Sequence, residues 1–326
     1  MSAVLPIDLP VDEQTKRRLR RGARHTENET SGRVKNRLTS PWATLAALII
    51  AIIWTVPTLG LLITSFRDPA LILTSGWWTI FQNPGFTAQN YVEVLQAGNS
   101  QLNMAESFVN SIAIAIPATV FPLVIASMAA YAFAWIKFPG RNWIFIGVFA
   151  LQIVPIQMAL VPLLSLFSRG LSFGGGWDFL APLQASNSFT QVWIAHTIFA
   201  LPLAIFLLHN FISEIPGEVI EAARVDGAGH GQIFFRIVLP LTVPAIAAFA
   251  IFQFLWVWND LLVALVFADG KQAPITKLLA EISGSYGQDW YLLTAGAFVA
   301  IIVPLIVFFS LQRFFVRGLL AGSTKG

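Results

Sequence analysis

The polar residues with the clearest capacity for specific contacts lie in one short segment, from Glu218 to Pro240, which separates two long apolar stretches. Three of them are charged and closely spaced: Glu221, Arg224 and Asp226. Three small residues lie among them: Ala222, Ala223 and Gly227. Small side chains let another protein approach the backbone while charges form contacts at the edge, so the segment is interpreted either as a docking surface or as a solvated connector.

The same segment carries the start and stop signals of a helix. Proline is accepted in a first helical turn, so Pro216 marks a start, and Glu218 and Glu221 suit the positive end of the helix dipole. Gly227 is a typical helix terminator. We predict a short helix lying off the membrane, then a second helix over Gln232–Leu239, with Pro240 beginning the next apolar span.

A second group of polar residues is embedded in apolar sequence and should face the interior of a helix bundle. The members assigned to a substrate pathway are Gln152, Gln157, Trp256, Asn259 and Asp260. Asp260 lies about 20 residues, or roughly 30 Å of helix, beyond Pro240, which places it near the far mouth of the bundle and not at its middle. An end-of-helix cap is the alternative role for Asn259 and Asp260.

Other embedded polar residues have simpler interpretations. His196 is interpreted as a packing histidine, and no second histidine lies at metal-ligand spacing, so no metal site is predicted. Gln253 is embedded in the same way. Trp256 and Trp258 are two residues apart and lie on different helix faces, so they cannot have the same role.

The composition indicates a membrane protein. Of 326 residues, 56% are hydrophobic and 11% are charged, against about 25% charged in an ordinary soluble domain. The mean hydropathy of +0.69 leaves too little polar surface for a soluble chain. The absence of cysteine excludes disulfides and thiolate metal sites, and a formal charge of +3 is too small to indicate a nucleic-acid partner.

A helix needs about 20 apolar residues to cross a bilayer, and six apolar stretches of the sequence are that long. They are Trp42–Phe66, Phe108–Trp135, Trp143–Phe167, Ser188–Phe211, Leu241–Phe267 and Leu292–Phe315. All six contain proline, which a membrane helix tolerates where neighbouring helices or water satisfy the freed carbonyls. The sequence therefore predicts an all-α integral membrane protein with kinked helices around a cavity.

The distribution of basic residues orients these spans. Residues 1–40 form a basic tail without an apolar core, so no cleaved signal peptide is expected. With both termini inside, the inner segments hold sixteen of the twenty lysines and arginines, which predicts cytoplasmic termini. Residues 41–105 would form the first span and an external loop, and residues 106–326 the transport domain.

The external loops are rich in tryptophan and glycine. Trp77, Trp78, Trp177 and Trp290 are interpreted as interfacial anchors. A docking surface is the alternative, and the last external loop is the best candidate for it.

Several motifs together resemble binding-protein-dependent ABC importer permeases. Glu221-Ala222-Ala223, three residues, Gly227, nine residues, then Ile237, one residue, Leu239 and Pro240 match the EAA loop of that family at every fixed position. The stretch NSIAIAIPATVFPLVIASMAAYAFAWIKFPGR at 110–141, QIVP at 152–155, WND at 258–260 and the tail QRFFVRGLLAGSTKG are similar to its carbohydrate branch, specifically the maltose-type second permease. The resemblance extends from about Phe86 to the C-terminus.

The resemblance implies a type I importer fold with a cytoplasmic coupling helix in the EAA loop, residues 213–240. It implies four further subunits or partners: a second homologous permease, two ATPase subunits that carry ATP and Mg, and an external sugar-binding protein. Asn110, at the start of the second-span signature, joins the predicted substrate pathway. The chain has no G-x-x-x-x-G-K-[ST] motif, and its Gly270–Lys271 pair is followed by Gln272, so this chain is expected to bind no nucleotide and to be no enzyme.

The predicted function is permeation of a sugar, a disaccharide or α-glucoside, across the bacterial or archaeal cytoplasmic membrane. Glycerol phosphate or a polyol is an alternative solute, although the spans hold no arginine well inside to pair with a phosphate. A secondary transporter would need intramembrane ion-coupling carboxylates, and only Asp260 is available. A membrane enzyme is the weakest alternative, because no paired acids or nucleophile triad can be assembled.

Overall fold

The computed structural model describes residues 41–98, 102–173, 177–183, 189–282 and 289–323. The basic tail predicted for residues 1–40 lies outside this part. The chain divides into two compact units, residues 1–61 and 62–326. The helices, in chain order, are α1 Pro41–Ser65, α2 Pro69–Thr74, α3 Gln89–Gln96, α4 Met104–Trp135, α5 Arg141–Ala150, α6 Ile156–Arg169, α7 Thr190–Ser213, α8 Gly217–Val225, α9 His230–Ile233, α10 Leu239–Trp258, α11 Leu262–Phe267, α12 Ile275–Ile282 and α13 Trp290–Ser323.

In the part of the chain that the structure describes, the regular structure is helical apart from one short hairpin. Strands β1 (Leu171–Phe173) and β2 (Trp177–Leu180) pair antiparallel between α6 and α7. Within the described residues, five helical segments are long and apolar enough to cross a membrane, and six if one sharply bent pair counts as a single span. The prediction of an all-α membrane protein is confirmed.

The predicted span Trp143–Phe167 is not one continuous helix but a sharply bent pair. The helical segments Arg141–Ile153 and Ile156–Arg169 meet at an angle of 106°. The break falls at Val154, which is extended, with Pro155 after it. Proline has no N–H and disfavours helical geometry in the residue before it, which explains the position of the break.

The fifth predicted span, Leu241–Phe267, also differs from the structure. Its helix starts at His230 and ends at Trp258, so the helix expected over Gln232–Leu239 is the first part of the span and not a separate element. A π-helical segment, Phe234–Val238, ends two residues before Pro240. The missing N–H of that proline interrupts the regular hydrogen-bond ladder, and the helix widens by one residue there.

The core of the larger unit is built on α4 and α7, which pack together most extensively, with α10 against both. Proline removes the N–H that would bond the carbonyl four residues earlier. In three cases a side chain of a neighbouring helix donates to that carbonyl instead. The pairs are Trp193 Nε1 to Ala113 O at 3.0 Å before Pro117, Gln253 Nε2 to Ala118 O at 3.1 Å before Pro122, and Trp258 Nε1 to Ala300 O at 3.0 Å before Pro304.

These three bonds confirm the expectation that neighbouring helices satisfy the carbonyls freed by proline. Trp258 is only 3% exposed, so its indole N–H has no access to water and needs this acceptor. The bonds join α7 to α4, α10 to α4 and α10 to α13. They hold the kinked helices in one arrangement.

The segment after α1 is organised around a buried arginine. The guanidinium of Arg67 donates to the carbonyl and hydroxyl of Ser75, at 3.1 and 2.8 Å, and to Thr79 Oγ1 at 3.2 Å. The Asn90 side-chain amide donates to the carbonyls of Ser65 and Arg67, at 3.0 and 2.8 Å. The connection between α1 and α3 is therefore an ordered structure.

Candidate functional site

The short helix α8 is attached to the bundle through one buried side chain. Ile220 is 1% exposed and packs in a cluster with Ile212, Ile215 and Ile233. Gly227, with φ +82°, lies two residues past the end of the helix. A Cβ added at Gly227 would meet no atom within 4 Å, so glycine is needed there for its backbone conformation and not for space within this chain.

The opposite face of α8 is open. Glu218, Glu221, Ala222 and Val225 are all exposed, and their spacing of three, four and seven residues places them on one side of the helix. Val225 is 88% exposed, an apolar side chain at the end of this face. We call these four residues the α8 face. Two of its members, Glu221 and Ala222, are among the residues that the sequence assigns to docking.

The remaining predicted coupling residues have different surroundings. Arg224 Nη2 donates to the carbonyl of Trp135 at 3.3 Å, at the end of α4, so this side chain joins α8 to the bundle. Ala223 is half-buried and Asp226 is exposed. Ile237 and Leu239 are half-buried, and Pro240 is exposed, along the helix that continues into α10.

Two further contacts join the loop to the end of α4. The Tyr131 hydroxyl and His230 Nδ1 lie 2.9 Å apart, and their rings are arranged edge to face with centroids 6.0 Å apart. Trp135 Nε1 donates to the carbonyl of Ile212 at 3.3 Å. Both ends of the 213–230 loop are thus tied to the same helix.

A cavity of about 230 Å³ lies between α7, α10 and the break in the bent pair. Gln152 and Ile156, on either side of that break, line it together with Gln253 and Trp256 of α10. The α7 contribution comes from Phe199, Ala200 and Leu203, near the middle of that helix. Irregular backbone at membrane depth is tolerated where it lines a cavity, which fits the position of the break.

Two of the six predicted pathway residues, Gln152 and Trp256, therefore meet in one cavity. The other four do not line it. Asn110 Nδ2 donates to the carbonyls of Lys271 and Ala273, at 2.8 and 3.1 Å, and so holds the loop before α12. Gln157 is exposed on α6.

Asn259 and Asp260 lie at the junction of α10 and α11. Asn259 Nδ2 donates to the carbonyl of Leu255 at 2.7 Å. Asp260 Oδ2 accepts from the backbone amides of Val263 and Ala264, at 3.0 and 3.2 Å. Asp260 thus caps α11, which agrees with the capping alternative.

His196 is a buried packing residue behind the cavity. It is 1% exposed, its Nε2 lies 3.8 Å from Asp260 Oδ2, and its ring meets Trp256 edge to face. Within the described residues, no group of three or more His, Asp or Glu side chains is placed to hold a metal ion.

Sequence reasoning did not assign Gln253, Phe249 or Phe252 to the pathway, although they line the cavity together with Trp256. A usable signal was present, because Phe249, Phe252, Gln253 and Trp256 are spaced as one face of a helix. The bend that brings Gln152 to that face depends on tertiary packing, and only Pro155 indicated it.

The loop between α11 and α12, which the sequence predicts to be external, has an ion pair between Lys277 and Asp269. Lys277 Nζ, on a largely buried side chain, donates to Ala268 O at 2.9 Å and to Asp269 Oδ1 at 3.1 Å. This hydrogen bond holds the pKa of the exposed Asp269 carboxyl below its usual value. The loop is thereby fixed between α11 and α12.

The sequence profile of the family described as "Binding-protein-dependent transport system inner membrane component" matches residues 123–320. The chain belongs to this family. It is therefore a multi-pass permease subunit of the inner membrane in a binding-protein-dependent ABC system, and the resemblance seen in the EAA loop is confirmed.

Two curated relatives match over most of the permease. The osmoprotective compounds uptake permease protein GgtD of Synechocystis sp. is 52% identical, over 89% of this chain and 95% of its own length. The alpha-glucoside transport system permease protein AglG of Rhizobium meliloti is 38% identical, over 87% of this chain and 97% of its own length.

A solved structure has the same fold. A chain of a bacterial ABC transporter involved in the import of the acidic polysaccharide alginate superposes with a TM-score of 0.61 over 85% of this chain and 98% of its own length. Its sequence identity is 19%. The permease fold predicted from the EAA resemblance is therefore the fold observed.

Proposed function

We propose that this permease pairs with a second, homologous permease and imports a neutral sugar, a disaccharide or α-glucoside. Two separate ATPase subunits bind ATP and Mg, and an external binding protein delivers the solute. The α8 face docks on an ATPase subunit, and both termini lie in the cytoplasm, on the same side as α8.

The observation that carries the proposal is the two-sided character of α8. Ile220 fixes the helix to the bundle, while Glu221, Ala222 and Val225 extend away from it. An apolar tip with charged neighbours is a surface that a protein cleft can bind. Force applied to this face reaches α4 through the Arg224 and His230 contacts.

The cavity supports a neutral solute. Its polar side chains are the amides of Gln152 and Gln253, and its other lining residues are aromatic or aliphatic, including Trp256. Amides bond sugar hydroxyls, and an indole ring packs on the apolar face of a sugar. The described lining contains no arginine or lysine, which a phosphorylated solute such as glycerol phosphate would require.

The names of the relatives support two related solute classes. AglG is named for alpha-glucosides, which favours a glucoside. GgtD is named for osmoprotective compounds, which favours a small neutral solute such as a polyol as the second candidate. Both are uncharged hydroxyl-rich molecules that the amide and indole groups can bind.

The test is charge reversal on the α8 face in the complete transporter. We expect Glu221→Lys to reduce solute uptake by at least about tenfold while the permease stays in the membrane, because a reversed charge in a docking surface costs about 2 kcal/mol or more. The matched control is Lys271→Glu, which reverses an exposed charge in the last external loop. Normal uptake and normal solute-stimulated ATP hydrolysis by Glu221→Lys would refute the docking role.

A further inference from the structure

Two cavities meet where the loop after α4 enters α5. The first, of about 400 Å³, is lined by Lys137, Gly140 and Trp143. Arg141 and Asn142 line both cavities. This loop belongs to the side of the membrane on which the proposed orientation places the cytoplasm.

The second cavity, of about 420 Å³, reaches between the ends of α4, α5 and α7. Besides Arg141 and Asn142, its polar lining consists of His209 and Ser213 of α7. Among the described residues, the lining of both cavities includes no carboxylate. The pair of cavities therefore presents cations and hydrogen-bond donors without a protein anion to neutralise them.

The start of α5 adds donors to this group. Gly140, with φ +78°, is the residue before the ten-residue helix and offers no side-chain acceptor to its first amides. Arg141 Nε lies 3.5 Å from Asn142 Oδ1, a long contact to a neutral group. The basic side chains and the positive helix end are arranged to bind an anion.

An apolar surface continues directly from these cavities along α5. Trp143 is 80% exposed, and Ile144 and Ile146 are about half exposed. A tryptophan beside basic residues is typical of the headgroup level of a bilayer, and the isoleucines lie on the membrane side of it. An anion bound at Arg141 would have room for acyl chains along α5, which a free phosphate ion does not need.

We propose that the cavities at Lys137 and Arg141 bind the headgroup of an anionic phospholipid, with its acyl chains against Trp143, Ile144 and Ile146. Basic pockets between membrane helices on the cytoplasmic side recognise such headgroups. The lipid would fill the space between the ends of α4, α5 and α7. It would thereby support the end of α4 that contacts α8.

The experiment compares the unmodified transporter with its variants. Each is purified with its partner subunits and placed in nanodiscs of phosphatidylcholine mixed equally with phosphatidylglycerol. Native mass spectrometry after release from the disc counts the phosphatidylglycerol that each complex retains. We expect the double variant Lys137→Gln/Arg141→Gln to retain at least about tenfold less than the unmodified protein, since each basic side chain contributes about fivefold near an anionic lipid. The control Lys271→Gln removes a charge from the last external loop and should retain the normal amount.

The possible outcomes separate the lipid from other ligands. Equal retention by the double variant and the unmodified complex would overturn the proposal. Displacement of the lipid by millimolar inorganic phosphate would also overturn it, because it would identify a phosphate site without a role for the acyl chains. Loss of retention in Lys137→Gln/Arg141→Gln, with normal retention in Glu221→Lys, would support the lipid site independently of the coupling role of α8.

Discussion

The bundle and the loop helix α8 are stabilised in opposite ways. In the bundle, three carbonyls freed by proline are bonded by side chains of adjacent helices, from Trp193, Gln253 and Trp258. In α8, Ile220 is the buried side chain, and a whole face remains open. The bundle is thus held by interhelical hydrogen bonds, whereas α8 is held by the buried Ile220 and the Arg224 contact to Trp135. This difference is what the proposed docking of the α8 face on an ATPase subunit requires.

The largest expected effect tests whether α8 needs the glycine that ends it. We expect Gly227→Val to reduce uptake by about tenfold or more, because a β-branched residue is strongly disfavoured at φ +82° and the end of α8 would shift. Uptake of labelled solute by cells with equal amounts of membrane-inserted permease measures this.

The matched variant Gly227→Asn separates conformation from space. Asparagine tolerates the left-handed region, and the space at Gly227 is open within this chain. Near-normal uptake by Gly227→Asn would assign the role of Gly227 to backbone conformation. Equal loss in both variants would show instead that a partner approaches the glycine closely.

The next effect tests the hydrogen bonds between helices of the bundle. Trp258→Phe keeps an aromatic ring but leaves the Ala300 carbonyl without its indole donor. We expect a loss of about 1 to 3 kcal/mol of stability, the cost of a buried unsatisfied group, measured as a lower midpoint of thermal unfolding in detergent. Trp256→Phe is the control, since Trp256 lines the cavity; a similar loss in both variants would contradict the specific role of the Ala300 bond.

The smallest expected effect concerns the contact that joins the bundle to the loop containing α8. Tyr131→Phe removes only the hydroxyl that meets His230, and we expect about 1 kcal/mol less stability in the loop. Hydrogen exchange of the α8 amides measures it, with faster exchange in the variant. Unchanged exchange would mean that Arg224 and Ile220 alone hold α8.

Much of this arrangement could be predicted from the sequence. The apolar stretches identified the membrane helices, and the small and charged residues around Gly227 identified α8 and its end. The prolines indicated that neighbouring helices must donate to freed carbonyls. These features are local, or follow from the chemistry of single residue types.

The remainder depends on contacts between distant segments. The pairing of Trp193 with Ala113, or of Gln253 with Ala118, requires the helices to be packed before the partners can be named. The 106° bend could not be derived from Pro155 alone, because other span prolines, such as Pro117, lie within continuous helices. The bonds from the Asn110 amide to the carbonyls of Lys271 and Ala273 could likewise not be predicted from the motif in which Asn110 lies.

The most direct test of the central claim uses the absence of cysteine from this chain. Val225→Cys places a single thiol at the exposed end of the α8 face, and Lys271→Cys places one in the loop between α11 and α12 as a control. We expect the thiol at 225, carrying a photoreactive label in the assembled transporter, to cross-link to an ATPase subunit, and the thiol at 271 not to do so. A label at 225 that reacts only with solvent, in a complex that contains its ATPase subunits, would contradict the account.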